Sequence, residues 1–138
     1  GIIGASQLSR RILQNIDFGI AIEARRRNYE MLYDGIDTDI TSLRPLCGSL
    51  PAKVTPLGFP VVSDRRNALK AFLIDKRIYP PIHWLLPDEK GIAQFEHLID
   101  LSGRVLTLPI DQRYGLEDMG YILACLREWE SLACSATY

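Results

Sequence analysis

Apolar residues recur at three- and four-residue steps within three successive groups in the first 36 residues. The groups are Leu8, Ile12 and Ile16, then Ile20 and Ala24, then Tyr29, Leu32 and Ile36. This is the spacing of an α-helical face, and a break near Asp17 and Gly19 predicts two consecutive helices between Ala5 and Ile36. Because they carry apolar residues on more than one side, we expect these helices to pack against something that the chain itself does not supply.

The middle of the chain changes from loop to strand to helix. Residues 37–52 are rich in turn formers and predict a loop. The segment KVTPLGFPVVS at 53–63 contains Pro56 and Pro60, so it predicts an edge or bulged strand and not a central one. Asp64 suits the N-cap of a helix that runs to Lys76, and residues 78–85 predict a second strand with prolines at its start.

The remaining sequence predicts a short helix at 91–101, a third strand at 104–108 and a helix at 116–132 with an acidic first turn. Three short strands between helices indicate an α+β fold, a two-layer domain in which a small three-stranded sheet packs against helices and long helices stand at both ends. We predict one domain over 1–138, with 1–36 as a helical lead-in and 53–132 as the α+β core.

The charge balance argues against a polyanionic partner. The 16 basic and 17 acidic residues give a net charge of −1, so we expect neither nucleic acid nor an anionic membrane surface as a partner. No apolar run reaches the roughly 18 residues of a membrane span. The run Arg25-Arg26-Arg27 spreads over about 200° of a helix, which favours a solvated face over a phosphate clamp.

The cysteines and histidines indicate neither a disulfide framework nor a metal site. Cys47, Cys125 and Cys134 are an odd number at wide spacings, which is typical of buried or idle thiols in a reducing cytoplasm. His83 and His97 have no second cysteine or histidine close by, so no metal site is predicted. Glycine-rich phosphate loops are also missing from the sequence.

The segment RIYPPIHWLLP at 77–87 places His83 and Trp84 one residue after two adjacent prolines. Pro80 and Pro81 fix φ at successive residues, so the segment loses little freedom when a side chain is positioned for binding. One interpretation is a rigid arm that presents an imidazole at a site. The other is an edge strand that is rich in proline for structural reasons.

Four segments carry a resemblance to a known family. They are RRRNYEMLYDGI, VTPLGFPVV, ALKAFLIDKRIYPPIHW and LTLPIDQRYGLEDMGYI, in that order. Their order and spacing resemble the C-terminal small domain of the DegT/DnrJ/EryC1/StrS family, which are fold-type I, pyridoxal-phosphate-dependent aminotransferases that often act on nucleotide-linked keto sugars. The resemblance extends from about Leu8 to Arg127, with Arg77-Ile78 where the family has a Gly-Ile turn.

The resemblance implies that the catalytic centre lies in another domain. In the family, the lysine that holds pyridoxal phosphate belongs to a large N-terminal domain, in a serine-containing segment followed by glycines. The four lysines here, Lys53, Lys70, Lys76 and Lys90, stand in other contexts. We therefore expect this chain to bind no cofactor and to catalyse no reaction by itself, with a large pyridoxal-phosphate-binding domain as its partner and a homodimer as the assembly.

The resemblance also implies the residues that contact the substrate, a sugar nucleotide or similar small molecule. The small domain closes over the substrate, so His83 and Trp84 would face it, with His83 bonded to a sugar or phosphate oxygen. Arg113 and Tyr114 are second candidates. An arginine at 113 suits a carboxylate or phosphate, although a structural pair with Asp111 or Glu117 is an equal alternative.

Two other functions stay open on the sequence alone. The chain could be a stand-alone, non-catalytic module of the same fold that serves binding or dimerisation, to which exposed apolar residues on the first helices would be suited. It could also be an unrelated small hydrolase or transferase, which would need a nucleophile–base pair that the sequence does not reveal.

Overall fold

The computed structural model describes residues 4, 6–36, 40–83, 85–86 and 95–135, with the side chains of 133–135 excepted. The elements in this part of the chain are α1 (Gln7–Gln14), α2 (Phe18–Ile36), β1 (Arg44–Pro45), β2 (Phe59–Val62), α3 (Arg66–Asp75), α4 (Glu96–Arg104), β3 (Val105–Leu108) and α5 (Leu116–Ser135). The predicted α+β class is confirmed, since a small antiparallel sheet packs against helices.

The sheet has the order β1-β2-β3, so the proline-containing strand β2 is central and its predicted edge or bulged position is wrong. Pro60 pairs with Thr107 and accepts a hydrogen bond from the Leu46 N–H at 2.9 Å through its carbonyl. In an antiparallel strand the N–H and C=O of a residue point to the same edge. The donor that Pro60 lacks would therefore face β1, whose pairing with β2 covers only two residues.

The predicted strand over Ile78–Leu85 is also wrong for the residues that the structure describes there. The described residues of this segment form no ladder, and one hydrogen bond of 3.1 Å from the Thr107 N–H to the Pro81 carbonyl ties them to β3. Pro80 and Pro81 have no N–H to donate, so two successive donors of a ladder are missing here. The third strand is instead β1, inside the segment 37–52 that the sequence predicts as a loop.

Two helix boundaries depart from the sequence prediction. Asp64 does not cap α3, because its carboxylate accepts a hydrogen bond from Arg104 at 2.9 Å and the helix begins at Arg66. Helix α4 continues to Arg104, past the predicted end at residue 101, while residues 91–94 of that prediction lie outside the described part of the chain.

The core lies between the sheet and the helices α2, α3 and α5. Its fully buried side chains include Leu32, Ile36, Phe59, Leu69, Leu73, Leu106, Leu108, Met119 and Leu126. Each such side chain contributes about 1.5–3 kcal/mol relative to an exposed one. Helix α1 takes no part in this core, since all its residues are exposed. The core therefore fixes α2 from Ala24 onward and leaves α1 outside.

Candidate functional site

A cavity of about 260 Å³ lies beside the carboxyl end of β3. Three of the four predicted site residues line it. His83 comes from the segment that follows Pro80 and Pro81, and Arg113 and Tyr114 come from the loop before α5. Arg25 of α2 completes this wall. Trp84, the fourth predicted residue, lies outside the described residues. We refer to this space as the His83 cavity.

His83 is positioned by the proline segment and by β3. Pro80 is buried, Ile82 packs against the core, and the Pro81 carbonyl accepts the Thr107 N–H at 3.1 Å. The imidazole that follows is half-buried at the cavity wall. Because φ of both prolines is fixed and their backbone is anchored to a strand, the position of His83 is largely set before any ligand binds.

Arg113 forms a bidentate pair with Asp111, the structural alternative that the sequence left open. Its Nε and Nη2 donate to the two carboxylate oxygens at 2.8 and 3.0 Å. The hydrogen bond from Arg113 is the main reason that the pKa of Asp111 lies below its ordinary value. A guanidinium has five N–H donors, so the pair leaves donors of this exposed side chain for an anionic ligand.

Arg25 belongs to the site, and the predicted solvated face is wrong for this residue. Its side chain is 18% exposed, and its Nε donates to Gln112 Oε1 at 2.8 Å. Its Nη1 donates to the carbonyls of Pro56 and Leu57 at 3.1 and 3.0 Å. The guanidinium therefore joins α2 to two loops that border the cavity, and it lies 3.8 Å from the Asp111 carboxylate.

Asn28 supports the same loop from beneath. It is fully buried, and its Nδ2 donates to the Tyr114 carbonyl at 3.0 Å and to the Asp111 carbonyl at 3.3 Å. A signal for both missed residues exists in the sequence. Arg25 lies four residues before Tyr29, and Asn28 lies four residues before Leu32. Both therefore share the helical face that carries these apolar residues toward the interior. The adjacent arginine triplet conceals this periodicity.

The His83 cavity can bind anionic oxygens and has no observed metal-binding arrangement. Two guanidinium groups and one carboxylate border it, together with an imidazole and a phenol. Within the described ranges, no group of three His, Cys, Asp or Glu residues could hold a metal ion. Of the two cysteines whose side chains are described, Cys47 is exposed and Cys125 is buried in the core.

The lysines in the described part of the chain do not fit a pyridoxal-phosphate site. A lysine that forms an imine needs a lowered pKa in a desolvated or cationic setting. Lys76 has the opposite setting, because Glu128 accepts hydrogen bonds from its Nζ at 2.6 and 2.7 Å and raises its pKa. Lys53 is exposed and Lys70 is half-buried on α3, whereas Lys90 lies outside the described residues.

Among the described residues, none of the helices has the length and hydropathy required to cross a bilayer.

Comparison with known proteins gives similarity in structure and none in sequence. No protein-family profile and no curated protein sequence matches the chain. Among solved structures, DesV from S. venezuelae, in complex with a ketimine intermediate, superimposes with a TM-score of 0.72 over 89% of this chain at 17% identity. It covers 35% of the DesV chain.

Two further structures agree. Spr1654 of Streptococcus pneumoniae, in its apo form, gives a TM-score of 0.70 over 91% of this chain and 35% of its own, at 13% identity. A DegT DnrJ EryC1 StrS aminotransferase from Brucella abortus gives 0.62 over 80% of this chain and 31% of its own, at 20% identity. The chain has the fold of one part of the DegT/DnrJ/EryC1/StrS-type sugar aminotransferases. The resemblance predicted from the sequence is thus confirmed for the fold.

The chain spans about a third of the length of each of these structures. Its likeness to them therefore concerns one part of larger proteins.

Proposed function

We propose that this chain is the C-terminal small domain of an aminotransferase that acts on a keto sugar, and that it contributes to substrate binding and active-site closure. The observation that carries the proposal is the His83 cavity, in which His83, Arg113, Tyr114 and Arg25 meet. The fold shared with sugar aminotransferases supports it.

Each group in the cavity has a part in holding a nucleotide-linked sugar. His83 bonds a sugar or phosphate oxygen from its anchored segment. Arg113 offers its unused N–H donors to a phosphate, which guanidinium groups bind in bidentate fashion. Tyr114 supplies an amphipathic ring, and its backbone carbonyl is held by Asn28.

The reaction itself belongs to a partner domain. A large domain of the same protein holds pyridoxal phosphate through its own lysine, and the cofactor supplies the electron sink for amino transfer. The lysine settings described above support this division. We further propose a location in the cytoplasm, which the cysteine spacing in the sequence favours, and a homodimeric assembly, which the family resemblance implies.

The test is the change of His83 to Ala in the protein that carries this domain. We expect kcat/KM for a nucleotide-linked keto sugar to fall at least tenfold, about 1.4 kcal/mol of binding, while the visible absorbance of the cofactor stays the same. His97→Ala is the matched control, because His97 is exposed on α4 and is not among the residues that line the cavity. Unchanged turnover in the His83 variant would refute the assignment.

A second function is a stand-alone, non-catalytic module for binding or dimerisation. It is favoured by exposed apolar side chains on α1 and the start of α2, where Leu8 is 68% exposed and Ile20 66%. Such a surface is typical of an interface. The effect of His83→Ala on turnover separates the two functions, since only the first predicts a loss. A stable dimer of the 138-residue chain in sedimentation, without such a loss, supports the module.

A further inference from the structure

A second cavity, of about 390 Å³, lies between the end of α3 and the first turns of α5. Tyr79, Tyr114 and Tyr121 line it together with Arg77 and Asp118. Its size is within the range of small-molecule sites, which begins at about 300 Å³. We call it the tyrosine cleft. It borders the His83 cavity at Tyr114, yet its charged groups differ from those of that cavity.

Arg77 enters the cleft from a strained backbone position. The Ile78 N–H bonds to the Leu73 carbonyl and the Arg77 N–H to the Ile74 carbonyl, both at 2.8 Å, which is the Schellman pattern that ends a helix. This pattern places the residue after the cap in the left-handed region, and φ of Arg77 is 62°. Glycine adopts this conformation without strain, whereas arginine does not. An arginine kept there calls for a compensating role of its side chain.

The charges in the cleft leave one cation and one anion for a ligand. Lys76 is neutralised by Glu128, which accepts two hydrogen bonds from its Nζ. Among the described residues, no group accepts a hydrogen bond from the Arg77 guanidinium. Asp118 Oδ2 accepts the Gly115 N–H at 2.8 Å, which leaves Oδ1 for a ligand, and Arg77 and Asp118 form no ion pair with each other.

Two of the three tyrosines that line the cleft are tied to neighbouring elements, Tyr121 through its hydroxyl and Tyr114 through its backbone. The Tyr121 hydroxyl donates to the Lys76 carbonyl at 3.2 Å and so fixes this ring against the end of α3. The Tyr114 backbone is held by Asn28. Aromatic rings pair favourably with other rings in tilted or offset stacks, so a ligand ring gains most from these walls.

We propose that the tyrosine cleft binds a zwitterionic amino acid with an aromatic side chain. The carboxylate pairs with the Arg77 guanidinium, the ammonium bonds to Asp118, and the ring lies among the three tyrosines. A doubly charged phosphate is disfavoured, because Asp118 opposes it and the one unpaired cation is Arg77. The proposal does not depend on the proposed function, since it uses neither His83 nor Arg113.

The direct test is titration of the ¹⁵N-labelled 138-residue chain with L-phenylalanine, followed by amide chemical shifts. We expect shifts at residues 76–79 and 114–122 with a Kd on the order of 1 mM. Three probes each lack one feature: 3-phenylpropionate lacks the ammonium, phenethylamine the carboxylate and L-alanine the ring. Each is expected to bind at least about tenfold more weakly.

Two variants separate binding from folding. Arg77→Gly removes the guanidinium and the strain together, so the melting temperature should rise by roughly 2–6 °C while affinity for L-phenylalanine falls about tenfold or more. Asp118→Asn keeps an oxygen for the Gly115 N–H but loses the charge. It should weaken the binding of L-phenylalanine but not that of 3-phenylpropionate, which has no ammonium to lose a partner. Arg127→Ala, at an exposed position of α5, is the control.

Three results would overturn the proposal. The first is an absence of shifts at about 10 mM L-phenylalanine, ten times the expected Kd. The second is equal binding of L-alanine, which would remove the role of the tyrosines. The third is unchanged L-phenylalanine affinity in Arg77→Gly or Asp118→Asn.

Discussion

At the residue scale, the side chains of Arg25 and Arg26 connect α2 to the segment before β2 through hydrogen bonds. Arg26 Nη1 donates to the Pro51 carbonyl at 2.9 Å and also to the Val54 carbonyl, just as Arg25 bonds to Pro56 and Leu57. Together they fasten the segment before β2 to α2. Carbonyls in such loops have no ladder partner, and a guanidinium satisfies several of them at once. The side chains thereby position one wall of the His83 cavity.

Glu130 of α5 makes a comparable contact with Thr41 and Ser42, in the segment between α2 and β1. Its carboxylate accepts the N–H groups of Thr41 and Ser42 at 3.0 and 2.9 Å. Burial alone would raise its pKa, but the hydrogen bonds from Ser42 and Thr41 outweigh burial and lower the pKa to about 2. Because the folded value lies below the unfolded one, the stabilisation is present above about pH 4.5 and is lost as the pH falls through 2.

Changing Glu130 to Gln should therefore reduce the free energy of unfolding in a pH-dependent way. We expect a loss of about 1–2 kcal/mol at pH 7, after allowance for solvent screening, and almost none near pH 2. Urea unfolding at the two pH values measures it, and Glu23→Gln, at an exposed position of α2, is the control. An equal loss at both pH values would contradict the role of the charged carboxylate.

At the element scale, Gly35 of α2 faces Leu123 of α5. A Cβ built there would lie 2.5 and 2.7 Å from the two δ-methyl carbons of Leu123, which is itself buried. At Gly120 of α5 the nearest atom would be Met31 Cε at 3.8 Å, an ordinary contact. Two helical glycines thus differ in whether a methyl group can be accommodated.

These two positions predict opposite effects of the same substitution. Gly35→Ala should lower the free energy of unfolding by about 1–2 kcal/mol, because overpacking exceeds the gain in helix propensity. Gly120→Ala should raise it by up to about 1 kcal/mol, since only the propensity changes. Chemical denaturation of both variants measures the effects. A stabilised Gly35→Ala variant would mean that Leu123 moves aside freely.

Elements with a clear internal pattern are predicted well from sequence, whereas those defined by a neighbour are not. Helix α5 and strand β3 carry their own periodicity and were located within a few residues. Strand β1 is two residues long and exists only through its pairing with Val61 and Val62. Pro60 similarly tolerates a central strand only because its missing donor faces the end of β1.

The candidate site also contains residues that the sequence predicts and one whose role depends on distant neighbours. His83, Arg113 and Tyr114 follow from the resemblance and from the proline segment, and they line one cavity. Arg25 was missed because a run of three arginines is typical of a solvated face. Its interior role arises from carbonyls some 30 residues away along the chain, which local periodicity does not reveal.

For the whole molecule, the described lysines and the His83 cavity support a division of labour. The fold is that of one part of the sugar aminotransferases, and the chain spans about a third of their length. Under the proposed function, this chain contacts the substrate and a partner domain supplies the chemistry of the cofactor. This division fails most directly if one of the lysines of this chain forms an imine with pyridoxal phosphate.

The decisive measurement is the addition of pyridoxal phosphate to the 138-residue chain, followed by borohydride reduction, intact-mass analysis and peptide mapping. The account predicts only substoichiometric labelling spread over exposed lysines, because Lys76 is held as an ammonium by Glu128. Lys76→Ala should leave that pattern otherwise unchanged. A stoichiometric adduct at one lysine would contradict the account and place a cofactor site within this chain.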